Sequence, residues 1–190
     1  MNAADPAAVR KSRIFLVLVA LVFAAPMIAA TLLGWAGWMP GTKGNGEAIV
    51  PQRNFVAEQL RVELADGKTY AWRDSSPRFT LVALAGPDCA AHCFETLTGI
   101  AKARVMLNRN QSRLRLLYIG APPADANQRT AMQAYWIFGR DVEGKLATYV
   151  PSTPDSISAV LVESNGTALS LYPAGFDVPG LLRDMLKVIK

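Results

Sequence analysis

Histidine occurs once and cysteine twice among the 190 residues. A single histidine excludes multi-histidine zinc centres. Two cysteines exclude a four-cysteine metal site and a disulfide-dense mini-scaffold. Charge is also sparse: 18% of residues are Asp, Glu, Lys or Arg, and the net charge is +5. No basic stripe interleaved with aromatics accompanies that small excess, so no nucleic-acid partner is expected. No internal repeat or low-complexity tract occurs. With 51% hydrophobic residues the chain is not globally disordered. Its length suits one domain of ordinary size with an appendage.

The appendage is legible in an uncharged run from Ile14 to Thr42. A membrane-spanning helix needs about 20 apolar residues, and IFLVLVALVFAAPMIAATLLGW supplies them. Pro26 inside it is tolerated better in a membrane than in water. Trp35 and Trp38 mark the far end, where indole rings favour the headgroup region. Arg10, Lys11 and Arg13 flank the near end, and the positive-inside rule places them in the cytoplasm. A cleaved signal peptide would have a shorter apolar core, and Ile28 at the −3 position makes Ala29-Ala30 a poor cleavage site. The expected organisation is a cytoplasmic tail (1–13), a single transmembrane helix (14–38), a linker (39–54) rich in Gly, Pro and polar residues, and a periplasmic domain (55–190). The expected location is a bacterial inner membrane, on whose outer side disulfides persist.

In the domain, Leu60 to Trp72 alternates apolar and polar residues about Asp66-Gly67, a pattern for a hairpin with a type I′ turn. Phe79 to Ala85 and Arg113 to Gly120 read as strands buried on both faces. Cys93 to Leu107 and Asp125 to Phe138 carry helical periodicity, the second through Ala131, Ala134, Tyr135 and Phe138. Ile157 to Val162 and Ala168 to Tyr172 form a second hairpin about Asn165-Gly166. Val178 to Ile189 is an amphipathic helix with Asp177 as its N-cap. The order hairpin, β, α, β, α, β-hairpin, α predicts an α/β fold of thioredoxin-like order, a mixed sheet flanked by helices. Tyr135 and Trp136 are read as packing residues, and Met106, Met132 and Met185 as core fillers rather than thioether ligands.

Cys89 and Cys93 follow a buried strand and open a helix. Four residues apart, they share one helix face, and a loosened first turn brings them within disulfide range. A helix N-terminus stabilises a thiolate, which is both the nucleophile of disulfide exchange and a soft ligand for Cu(I). The alternative is a static disulfide or a pair of inert core residues. His92, inside the motif, is either a third ligand, an activator of Cys93 or a solvent-facing helix residue. Asp88 is read as the helix N-cap, with tuning of the thiol as the alternative.

DGKTYAW, then a hydrophobic strand, then C-x-x-x-C opening a helix, resembles the SCO/SenC family, as does the ending SISAVLVESNGTALSLYPAGFDVPGLLRDML. The resemblance covers about residues 50–190. It implies a membrane-anchored thioredoxin-like protein that handles copper and thiols during cytochrome c oxidase assembly. Cys89 and Cys93 would be the catalytic pair, and Cys89, Cys93 and His92 the candidate copper ligands. A cytochrome oxidase subunit or a copper or thiol protein would be the partner. Pro154 stands where thioredoxin-like redox proteins place a cis-proline. The family's histidine just before the late strand is absent, and Pro154-Asp155-Ser156-Ile157 stands there instead. Three functions follow: a thiol-disulfide oxidoreductase, a Cu(I) carrier, or a non-catalytic tethered docking protein with a structural disulfide.

Overall fold

The computed structural model describes residues 6–35, 44–73 and 75–190. The chain divides into two compact units, Met1–Lys43 and Gly44–Lys190. The first holds helix α1 (Pro6–Trp35), which contains Pro26. Its stretch Phe15–Leu32 has a mean hydropathy of 2.6 and is the one helix, among the described residues, long and apolar enough to cross a membrane. Asp5, Trp38 and residues 39–43 of the expected linker lie outside the described residues.

The second unit is built on a seven-stranded mixed sheet. Its strands are β1 (Glu47–Ala48), β2 (Val62–Leu64), β3 (Phe79–Ala85), β4 (Leu114–Ile119), β5 (Ile137–Asp141), β6 (Ile157–Val162) and β7 (Ala168–Tyr172), in the order β1-β7-β6-β3-β4-β5-β2. β3 pairs parallel with β4 and antiparallel with β6. Helices α2 (Ala91–Met106), α3 (Ala126–Gln133) and α4 (Val178–Val188) complete it.

β3 is central, so both its faces are buried, and its side chains divide with the period of two that a pleated strand imposes. Leu81, Ala83 and Ala85 join Leu97 and Ile100 of α2, Leu181 and Met185 of α4 and Met132 of α3 in one core. Val82 and Leu84 join Phe55, Leu60, Val62, Tyr70, Trp72 and Leu146 in the other. The helices thus cover one face and the segment after β1 covers the opposite one. Trp72 is anchored there by its indole N–H, which donates to the Leu60 carbonyl at 2.8 Å.

Five expectations need correction. Residues 44–54 are not linker: β1 pairs with β7, and the Asn45 and Gly46 amides donate to the buried Asp184 carboxylate at 2.5 and 3.2 Å. The second helix ends at Gln133, and Phe138 belongs to β5. Met132, not Ala131 or Ala134, is the residue α3 buries, and Tyr135 is half exposed. Met106 is likewise exposed, on the rim of an apolar groove of about 510 Å³ between α2 and α3. Finally, neither hairpin turn is type I′. In each, an N–H to C=O bond spans Leu64–Gly67 or Glu163–Gly166, and only the glycine takes positive φ (79° and 90°). That is a type I turn closed by a left-handed glycine, the usual three-residue hairpin loop.

Candidate functional site

The disulfide-bonded pair lies where β3 leaves the sheet and α2 begins. Cys89 and Cys93 are joined, with Cα atoms 5.2 Å apart. Cys93 is fully buried in the helix-side core, whereas Cys89 is partly exposed at its edge. Of the two, Cys89 is the residue with solvent contact, the asymmetry on which thiol–disulfide exchange relies.

Two loops clasp around this point. The Gly86 N–H donates to the Ser156 carbonyl at 2.9 Å, and the Asp155 N–H donates to the Pro87 carbonyl at 2.9 Å. The approach is close: a Cβ at Gly86 would lie 2.5 Å from the Thr153 carbonyl oxygen and 3.0 Å from that of Pro151. Only glycine fits there. Asp88 and Asp155 both take left-handed backbone conformations, with φ of 56° and 51°. Aspartate visits that region more readily than most residues.

The first turn of an α-helix leaves its amides without intrahelical partners. The residue at the N-cap of α2, Ala90, has no side chain that could serve them. They are served from 62 to 65 residues away in sequence. Asp155 Oδ1 accepts from the Ala90 and Cys93 amides, both at 2.8 Å, and Oδ2 accepts from the His92 amide at 3.0 Å. The Cys93 amide, followed by those of His92 and Ala90, holds the Asp155 carboxyl below the usual carboxylate range against the opposing effect of desolvation. Asp88, expected as the cap, is exposed and does not fill the role.

The structure joins Cys89 and Cys93, which their spacing allows. His92 is exposed on the first turn of α2, next to the pair in sequence. Among the described residues no three His, Cys, Asp or Glu side chains come together as a metal-binding group. Copper as a resident ligand fits this donor set poorly. The sulfurs are bonded to each other, and the side chain that reaches α2 from the opposing loop is a carboxylate whose two oxygens already accept three N–H groups. Hard oxygen is in any case a weak partner for Cu(I). Pro154 is trans; the cis peptide among the described residues is Val50–Pro51.

Asp155 is the residue that reading along the chain missed. A signal was present: a helix opening at Ala90-Ala91 without a Ser, Thr, Asp or Asn immediately before it needs its cap from elsewhere. Only the pairing of β3 with β6 reveals the source.

No family model matches the chain, and no curated protein matches it in sequence. Solved structures do match in fold. Apo Sco1 from Thermus thermophilus matches with a TM-score of 0.56 at 14% identity, over 79% of this chain and 99% of its own. Copper-bound yeast Sco1 matches with a TM-score of 0.50 at 12% identity, over 68% of this chain and 86% of its own. The chain therefore has the thioredoxin-like α/β fold of the Sco proteins, with its one cysteine pair at the strand-to-helix junction.

Proposed function

We propose that this chain is a membrane-anchored thiol–disulfide exchange protein that keeps cysteines of a client reduced during cytochrome c oxidase assembly. The observation that carries this reading is the asymmetry of the pair: Cys89 partly exposed, Cys93 buried behind it, both at the N-terminus of α2. In the reduced state the Cys89 thiolate attacks one sulfur of a client disulfide. A mixed disulfide forms and the client's other sulfur leaves as a thiolate. Cys93 then attacks Cys89 and releases the second client sulfur. Two electrons pass to the client, and the Cys89–Cys93 bond re-forms.

The apolar helix α1 serves as the anchor, with residues 1–13 cytoplasmic, 14–38 in the inner membrane and the Cys-bearing domain periplasmic. The clients are an oxidase subunit or the copper and thiol proteins that serve it. Carriage of Cu(I) as cargo by the reduced pair is the second reading, favoured by the fold shared with copper-bound yeast Sco1.

A Cys89→Ser variant in a strain lacking the native chain tests the first reading. Oxidase activity should fall, and the client cysteines should accumulate as disulfides. Wild-type oxidase activity in that variant would end it. Anaerobic titration of the reduced protein with Cu(I), against a chromophoric competitor and a Cys89→Ser/Cys93→Ser control, tests the second. One cysteine-dependent equivalent supports it, and its absence removes it.

A further inference from the structure

We propose that Asp155 is a positioning residue that restrains the reactivity of Cys89, by occupying with a fixed negative charge the α2 amides that would otherwise stabilise an attacking sulfur. The inference rests on the exchange reading above.

The amides at a helix N-terminus favour a developing negative charge. Cys89 lies one residue before the N-cap Ala90, and its sulfur is bonded to that of Cys93 in the first turn. In this chain the amides are taken. The Ala90, His92 and Cys93 N–H groups all point at the Asp155 carboxylate, at 2.8 to 3.0 Å. The carboxylate is itself pinned, because its own backbone N–H is bonded to Pro87 on the cysteine loop. An attacking sulfur at Cys89 therefore finds these amides held by a carboxylate in place of free N–H donors, which slows its attack. The arrangement suits a protein that must hold its electrons for a specific docked client and not spend them on any passing disulfide.

Charge and capping can be separated. Asparagine caps a helix about as well as aspartate does, so Asp155→Asn keeps the acceptor oxygen and removes the charge. The full chain in detergent is reduced with dithiothreitol, freed of excess reductant under anaerobic conditions, and alkylated with iodoacetamide at pH 7. Modification of Cys89 is followed by mass spectrometry. Removing the neighbouring charge while keeping the cap is expected to make Asp155→Asn react about three- to tenfold faster than wild type. Asp155→Ser, which caps with a neutral hydroxyl, should do the same and stands in if the asparagine variant does not fold. A purely structural cap would leave the rate unchanged in variants that remain folded. Rates within twofold of wild type overturn the inference and leave the exchange reading intact. A wild-type pair that dithiothreitol cannot open in the folded chain overturns both.

Discussion

Opening the Cys89–Cys93 bond should leave the domain folded and only modestly less stable. The loop it closes is short, since the two residues are separated by 4 in sequence. In the chain-entropy account such a loop contributes about 2 kcal/mol. Little else depends on the bond. Cys93 stays packed among Leu97, Leu181 and their neighbours as a thiol, and the start of α2 is still held by Asp155 through three backbone N–H groups. For a domain of about 150 residues the unfolding entropy is roughly 0.3 kcal/mol/K, so Tm should fall by about 6 °C. Near-ultraviolet circular dichroism of the full chain in detergent, heated with and without dithiothreitol, reads this directly, because Trp72 and Trp136 are both buried and lose their signal on unfolding. A protein that cycles between dithiol and disulfide has to survive reduction. A fall of more than about 15 °C, or loss of the cooperative transition, would mark the bond as a structural staple. It would refute the reasoning and favour a tethered docking protein over an exchange protein.

Asp184→Ala should cost about 2–3 kcal/mol, because the Asn45 and Gly46 amides and Lys187 lose their shared carboxylate; hydrogen exchange at Asn45 and Gly46 should rise well before global unfolding. Burial alone would raise the Asp184 carboxyl, but Lys187, Asn45 and Gly46 outweigh it and hold it below the ordinary range, and the Arg53 hydrogen bond does the same for Glu58. Both groups therefore contribute stability that is present above their unfolded pKa near 4 and is lost as pH falls through their lower folded values; acid denaturation should begin below about pH 4 and be shallower in Asp184→Asn. Burial pushes the Tyr118 hydroxyl up to about 12, so stability should be lost as pH rises from about 10 through that value. In the folded protein only about a tenth of its tyrosinate absorbance should be present at about pH 11, checked by difference against Tyr118→Phe. Gly86→Ala should cost about 1–3 kcal/mol, because its Cβ meets the Thr153 carbonyl oxygen at 2.5 Å, and the displaced loop should weaken protection of the Cys93 amide.

The strands were most legible where burial on both faces removes any periodic ambiguity. Phe79–Ala85 and Ile157–Val162 have the boundaries their apolar runs and flanking turn residues predict, and Ala168–Tyr172, covered less fully, is fixed by the Asn165-Gly166 turn before it. α4 was legible for a different reason: Asp177 accepts from the Gly180 amide as a local cap, and Leu181 and Met185 repeat on the buried side. β5 was missed because its pattern is neither alternating nor continuous. Ile137 and Arg140 are exposed, Phe138 and Gly139 only partly covered, and Phe138 falls by coincidence on the helical stripe begun at Ala131. The identity of the groups tied to α2 and α4 from afar was not legible, even where the need for one was. Asn45 reaches Asp184 across 139 residues, and Asp155 reaches Cys93 across 62. Local spacing carries no trace of such partners. In the site itself, the pair and its junction were readable, whereas the residue that caps the junction was not.

The register between β3 and β6 explains why position 155 matters at all. Ala85 faces Ile157 across the antiparallel ladder. Residues just after Ala85 and residues just before Ile157 must therefore meet beyond the end of both strands. The first group is the cysteine loop and the second contains Asp155. Whatever side chain stands at 155 is delivered by the sheet to the first turn of α2, close to the only two sulfur atoms of the cysteines. An imidazole delivered there would add a nitrogen donor to two thiolates and favour a metal. A carboxylate delivered there satisfies the helix amides and opposes a thiolate. The scaffold is the same in both cases, and the side chain this one delivers is aspartate, whose oxygens accept the Ala90, His92 and Cys93 amides.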